Sequence, residues 1–203
     1  IPVDISQPEL MFRAWDSLDL ASMTVACGCG GGDAVRAALP KVISSARALV
    51  LDADALNAIA SDPQLRTQLQ ARSRRARSTV ITPHPLEAAR LLGRSAKEVQ
   101  DDRISAAREL AQRFGCIAVL KGSGTIVCAP GRAPHVNPTG NARLATAGTG
   151  DVLAGLIAAR LASAGDALAA ASGAVFEHGR VADLWPNGRA LTAGELARSL
   201  DIA

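Results

Sequence analysis

Tyrosine is absent from this 203-residue chain, and aromatic residues of any kind make up only 2% of it. A core with so few rings must be built from Ala, Leu, Val and Ile, which suits helices packed on a parallel sheet. The shortage also weakens any nucleic-acid reading, because bases stack on aromatic side chains. Positive and negative charges nearly balance, at 22 Lys and Arg against 19 Asp and Glu. The formal net charge of +3 is too small to argue for a polyanionic partner. Arg66, Arg72, Arg74, Arg75 and Arg77 form a basic run, which without interleaved aromatics reads as a solvated helix end and loop. No apolar stretch is long enough for a bilayer, because Arg160 interrupts the longest one. Neither nucleic acid nor membrane is expected as a partner.

Cysteine is sparse and unpatterned. Cys27 and Cys29 stand too close for an ordinary disulfide, Cys116 and Cys128 fall in strand-like apolar runs, and no zinc-ligand spacing occurs. Reduced, buried thiols in a cytosolic (cytoplasmic) protein are the expectation. No signal peptide is visible at the start. The chain opens on Ile1 rather than Met, and we expect a piece of a longer protein. A Gly-x-x-x-x-Gly-Lys-Ser/Thr loop is also missing, which excludes a P-loop enzyme.

What the sequence does have is short apolar runs that end in glycine, aspartate, histidine or lysine. Residues 1–22 read as an irregular lead-in with a short helix near Glu9–Ala14, and residues 23–203 as one domain. Met23–Cys27 is a strand broken by Gly28-Cys29-Gly30-Gly31-Gly32. Asp33 can cap the helix that follows, with Val35, Ala38, Leu39 and Val42 on one face. That glycine cluster is either a ligand loop or merely a tight turn. Ala48–Leu51 is the next strand and ends in Asp52-Ala53-Asp54; a carboxylate there lies where open α/β sheets bind ligands, while Asp54 also suits a helix N-cap. Ser78–Thr82 repeats the pattern before Pro83-His84-Pro85-Leu86-Glu87. Pro85 suits a first helical position, and His84 is either a ligand group or structural.

Further on, Ser95 and Glu98 form a capping box, and Ile104, Ala107, Leu110, Ala111 and Phe114 recur at helical spacing as a core stripe. Ile117–Lys121 is a strand ending in Lys121-Gly122-Ser123-Gly124-Thr125, readable as a phosphate clamp, as a hairpin turn, or as both. The stretch from Asn137 to Asp151 culminates in Gly148-Thr149-Gly150-Asp151 and opens an apolar helix. Helix N-termini attract anions, and glycines let the backbone approach phosphate closely. A carboxylate at Asp151 repels such a ligand unless it has a task, such as taking a proton or holding Mg²⁺. Helices over 150–163, 167–185 and 193–199 complete the chain, the last with a Thr192/Glu195 capping box. Alternating strands and helices predict an α/β fold with a mostly parallel sheet covered on both faces.

Taken together, Asp52-Ala-Asp-Ala-Leu56, Thr82-Pro-His-Pro-Leu-Glu87, Leu120-Lys-Gly-Ser-Gly-Thr125 and Asn137-Pro-Thr-Gly-Asn141 with Ala147-Gly-Thr-Gly-Asp151 resemble the ADP/ATP-dependent NAD(P)H-hydrate dehydratases. The resemblance runs from about Met23 to Leu200. It implies a ribokinase-like three-layer α/β/α sandwich and, with ADP as co-substrate and Mg²⁺, dehydration of the S epimer of hydrated NADH or NADPH (NADHX, NADPHX). It further implies that Lys121, Gly122, Ser123, Gly124, Thr125, Gly148, Thr149 and Gly150 hold the nucleotide. Asp151 would be the base, and Gly30, His84 and Asp151 would face the substrate. Glu87 would organise Mg²⁺ through water. A homotetramer and a fused N-terminal epimerase domain are implied for the full-length protein. Members usually carry Pro-Gly-Leu-Gly where this chain has Cys27-Gly28-Cys29-Gly30, and Gly in place of Leu86. The family's first strands and its Lys-Ala-Gly loop have no counterpart in the chain. Competing readings are a ribokinase-like kinase of a vitamin precursor and a nucleotide-binding remnant without catalysis.

Overall fold

The computed structural model describes residues 4–163 and 165–200. Six strands form one sheet in the order of the sequence: β1 (Thr24–Cys27), β2 (Ala48–Leu51), β3 (Thr79–Ile81), β4 (Ile117–Leu120), β5 (Ile126–Cys128) and β6 (His135–Val136). The pairs from β1 to β4 are parallel, with Val25 opposite Leu49, Val50 opposite Val80, and Ile81 opposite Ala118. β5 turns back antiparallel on β4 and β6 antiparallel on β5. β2, β3 and β4 are buried along their whole length, because helices cover both sheet faces and leave no polar side.

The period-2 alternation of side chains divides the buried strand residues between two cores. Leu49, Leu51, Ile81, Ala118 and Leu120 face α1 (Val35–Ser45), α2 (Asp54–Ser61), α3 (Pro63–Ser73), α4 (Pro85–Leu92), α5 (Ala96–Asp101) and α6 (Arg103–Phe114). Ala48, Val50, Val80, Ile117 and Val119 face α7 (Thr149–Ser163) and α8 (Ala167–Leu184). A short α9 (Ala193–Arg198) closes the end of α7 and α8 through Leu191 and Leu196. The arrangement is a three-layer α/β/α sandwich. Gly93 and Gly115 end α4 and α6 at φ of 71° and 60°, a left-handed conformation that frees the last helical carbonyls for pairing.

Several local expectations are corrected. Glu9–Ala14 is not helical; the lead-in instead holds two 3₁₀ turns, Trp15–Ser17 and Leu20–Ser22, the second capped by Asp19. Ile104 is 42% exposed, so the core stripe of α6 starts at Ala106 and Ala107. The basic run is not simply solvated. Arg72 is buried and donates to the carbonyls of Ile43 and Ala46 and to Thr79 Oγ1, joining α1 to β3. Burial lowers its pKa to about 10, still far above neutrality, so the guanidinium stays charged. Arg66 and Arg77 also bind main-chain carbonyls, of Ile59 and Ser44.

Candidate active site

The parallel strands deliver their polar residues to one end of the sheet. After β1, Gly28 runs so close to β2 that a Cβ on it would stand 1.9 Å from the carbonyl oxygen of Asp52. After β2 the chain turns through Ala53 at φ 48° and ψ −116°, a conformation that favours glycine, and Ala55 N–H closes the turn on Asp52 O at 3.1 Å. This strained turn sends Asp52 inward, 1% exposed. Asp54 does not cap α2 as its position suggests. Its carboxylate instead accepts from Gly32 N–H at 2.8 Å, tying the glycine loop to β2. Asp33 likewise sits inside a 3₁₀ turn and caps nothing.

After β3, His84 is the N-cap of α4. Its Nδ1 accepts from Leu86 and Glu87 N–H at 3.1 and 3.3 Å, and Glu87 returns the favour to His84 N–H at 2.8 Å. The structural reading of His84 is therefore met, although the ring remains half-exposed. Glu87 is 4% exposed, and its second oxygen lies 3.4 Å from His84 Nε2. After β4, Lys121 N–H bonds to Pro83 O, and its ammonium reaches Asp52 Oδ1 at 2.7 Å. A Cβ on Gly150 would stand 3.4 Å from that same ammonium. Lys121 thus joins the β4–β5 hairpin, the end of β2 and the first turn of α7.

A cavity of about 420 Å³ opens between these parts, lined by Lys121–Thr125, by Thr139, Gly140, Asn141, Ala142, Leu144 and Ala145, and by Thr149, Gly150, Leu153, Val175, His178 and Gly179. Seven of the eight residues expected to hold a nucleotide are in its wall; Gly148, at φ 84°, forms the turn just before it. The remaining expected residues lie outside that wall. Asp151 gathers with Asp52 and Cys29, one donor atom of each within 4.8 Å of the others. Gly30 follows Cys29 in the glycine loop at φ 62°. Cys29 is exposed as a residue, but partial burial of its thiol, with Asp52 and Asp151 beside it, pushes its pKa up to about 12. The four cysteines are free, and Cys116 and Cys128 are buried as expected.

Three contributors escaped sequence reasoning. His178 holds the start of α7 through Thr149 O at 2.8 Å. Arg103 holds the hairpin from behind, through the carbonyls of Leu120, Lys121 and Ser123. Asp183 accepts from Gly140 N–H and Asn141 Nδ2, at 2.8 and 2.9 Å. Each makes its contact across at least 17 residues, so no local pattern marks it. Of the three, His178 alone left a signal, as a polar side chain on an otherwise apolar helix face.

The profile of the family described as NAD(P)H-hydrate dehydratase matches residues 5–201. The ADP-dependent (S)-NAD(P)H-hydrate dehydratase of Neisseria meningitidis is 40% identical over 196 residues, covering 94% of this chain and 65% of that protein. The bifunctional NAD(P)H-hydrate repair enzyme Nnr of Escherichia coli is 39% identical over 206 residues, 98% of this chain but 38% of that protein. The chain therefore spans under two thirds of either relative. Among solved structures, the ADP/ATP-dependent NAD(P)H-hydrate dehydratase of Bacillus subtilis, co-crystallised with ATP/Mg²⁺ and soaked with CoA, aligns with a TM-score of 0.75 at 31% identity, over 95% of this chain and 72% of that one. A ribokinase-like superfamily protein of Enterococcus faecalis shares the fold at 24% identity and a TM-score of 0.64, over 83% of this chain and 57% of that one. With a matching profile over nearly its whole length, this chain belongs to the NAD(P)H-hydrate dehydratase family.

Proposed function

We propose that the chain dehydrates the S epimer of hydrated NADH or NADPH at the expense of ADP, returning NADH or NADPH with AMP and phosphate. The observation that carries this reading is the meeting of two phosphate-binding elements at one cavity, the Lys121–Thr125 hairpin and the N-terminus of α7, with Asp151 next in the chain. The names borne by the Neisseria and Bacillus relatives support it.

Hydroxide is a poor leaving group and phosphate a good one, so the task is to phosphorylate the hydroxyl at C6 of the hydrated ring. Asp151 accepts that hydroxyl's proton as its oxygen attacks the β-phosphorus of ADP, and AMP departs. The C6–O bond then breaks with loss of a proton from the neighbouring carbon, phosphate leaves, and the ring double bond returns. Lys121 and the N–H groups of the hairpin and of Gly148 and Gly150 hold the phosphates while charge shifts between them, the Thr149 N–H being taken by Thr146 O. Gly30 and His84 face the hydrated nucleotide on this reading.

The donors present suit a hard cation carried in with the phosphates. Asp52 is engaged by Lys121, whereas Asp151 forms no ion pair among the described residues and would be free to hold it, and Glu87, turned to His84, would reach it through water. When bound, Mg²⁺ neutralises phosphate charge. A cytosolic location, where four free thiols stay reduced, a tetrameric assembly and a fused epimerase domain belong to the same proposal.

The test is absorbance at the reduced-nicotinamide band with hydrate, ADP and Mg²⁺, followed by product analysis. Recovery of NADH together with AMP supports the proposal. A stable phosphorylated alcohol would make the protein a small-molecule kinase, and ADP binding without turnover would make it a binding module.

A further inference from the structure

His178 is 7% exposed and stands in the wall of the cavity, on a face of α8 otherwise made of Ala171, Ala174, Val175 and Ala182. A buried imidazole needs partners for its nitrogens, because dehydrating an unpaired polar atom is costly. One nitrogen is accounted for. Nε2 lies 2.8 Å from Thr149 O, and a carbonyl can only accept, so Nε2 carries a hydrogen and donates it. Burial lowers the pKa of the ring, and the Lys121 ammonium adds to this against the upward pull of the Thr149 bond. The imidazole is therefore neutral near pH 7, and its Nδ1 presents a bare lone pair.

That lone pair has no partner among the described residues. Among the described residues, the fully buried side-chain atoms without partners are Arg103 Nε and Arg160 Nε, and Nδ1 is not one of them. An unpaired nitrogen that is not sealed meets solvent, and the cavity is the space that His178 borders. The bond to Thr149 O fixes the tautomer before any ligand arrives. The protein thus offers the cavity one oriented acceptor from an otherwise apolar helix face.

We infer that Nδ1 of His178 accepts a hydrogen bond from a ribose hydroxyl of the nucleotide in this cavity. The inference rests on the nucleotide reading above. Position argues for the sugar. Thr149 is the first residue of α7, immediately before Gly150, so the ring stands beside the phosphate-binding turn. Ionised phosphate oxygens offer no hydrogen and would repel the lone pair. The next donors along a nucleoside diphosphate are the two ribose hydroxyls, whereas the exocyclic amine of the base lies a whole sugar further on.

Calorimetric titrations of wild type and His178→Phe with ADP, 2′-deoxy-ADP, 3′-deoxy-ADP and purine riboside diphosphate, which lacks the amine, test this. Phenylalanine keeps the ring and removes both nitrogens. Loss of the contacted hydroxyl should weaken binding to wild type by about 5- to 10-fold, the worth of one hydrogen bond. The same loss should change binding to His178→Phe by less than about twofold, because the coupling has gone. Equal hydroxyl effects in both proteins overturn the inference, and so does coupling to the amine instead. Lys121→Ala, titrated alongside, separates the two failures. Unchanged ADP affinity there overturns the nucleotide reading itself, whereas a loss there without coupling at His178 overturns only the role of His178. A mutation-free measurement guards against a variant that does not fold. In ¹⁵N spectra of the wild type, the bare Nδ1 resonance should move on adding ADP and stay in place with 2′,3′-dideoxy-ADP. A resonance unmoved by ADP overturns the inference.

Discussion

At the scale of single residues, the proposed chemistry falls to a side chain whose structural duties are light. Asp151 is exposed in the first turn of α7 and forms no ion pair among the described residues, whereas Asp52, Asp54 and Glu87 are each occupied by a named partner. Asp151→Asn should therefore cut turnover about 100- to 10,000-fold, the usual worth of a positioned base. ADP affinity should hold or rise, because a negative charge beside the phosphates is removed. The melting temperature should stay within a few degrees of wild type, since an exposed first-turn carboxylate adds only about 0.3–1 kcal/mol through the helix dipole. Steady-state rates and calorimetry on the one variant check all three. The sequence announced Asp151 through its glycines. It misdirected at Asp33 and Asp54, because both stand before helices as caps do, while the actual use of Asp54 is a bond to Gly32, 22 residues away.

At the scale of elements, the β4–β5 hairpin shows how a turn is shaped into one wall of a cavity. Arg103 takes the carbonyls of Leu120, Lys121 and Ser123, and its guanidinium lies 3.0 Å from where a Cβ on Gly122 would be, at φ 138°. A trans peptide points its N–H opposite to its C=O, so the N–H groups of Gly122 and Gly124 point away from Arg103. The cavity lies along both glycines. Arg103→Met should weaken ADP binding about tenfold and lower stability by roughly 1–3 kcal/mol, as carbonyls lose a charged donor. Arg103→Lys should recover part of the stability but less of the binding, lacking the planar fork. Titration and thermal melts read the two effects separately. The hairpin itself was legible in Lys121-Gly-Ser-Gly-Thr125, as were the strands of the sheet down to β5 and the capping boxes of Ser95 and Thr192, because their signals are local. Arg103 was not, since its helix shows an ordinary amphipathic pattern. Arg72 was misread for a related reason: composition marks a basic run as solvated, and only packing shows one member buried.

At the scale of the molecule, one sheet serves two cores. Phe114 anchors the core under α6, and Ile157 the core under α7 and α8. Phe114→Ala should cost about 3–5 kcal/mol and Ile157→Ala about 2–5 kcal/mol. Because the strands are common to both, each variant should unfold in one transition at a lower urea midpoint, by circular dichroism and by Trp fluorescence alike. The cavity, in turn, depends on α8. His178 holds Thr149, the carbonyls of Phe176 and Ala182 take Thr139 and Asn141, and Asp183 takes Gly140. Gly179 sits at the centre of that seam, where a Cβ would stand 2.3 Å from Thr139 Oγ1. α8 can therefore neither rotate nor slide by one residue, since any neighbour of Gly179 would drive a side chain into the loop. The wall proposed to meet the nucleotide is locked in register before any ligand arrives. Its ordering entropy is lost at folding rather than at binding, so association needs no slow helix rearrangement and should follow encounter in a single kinetic phase.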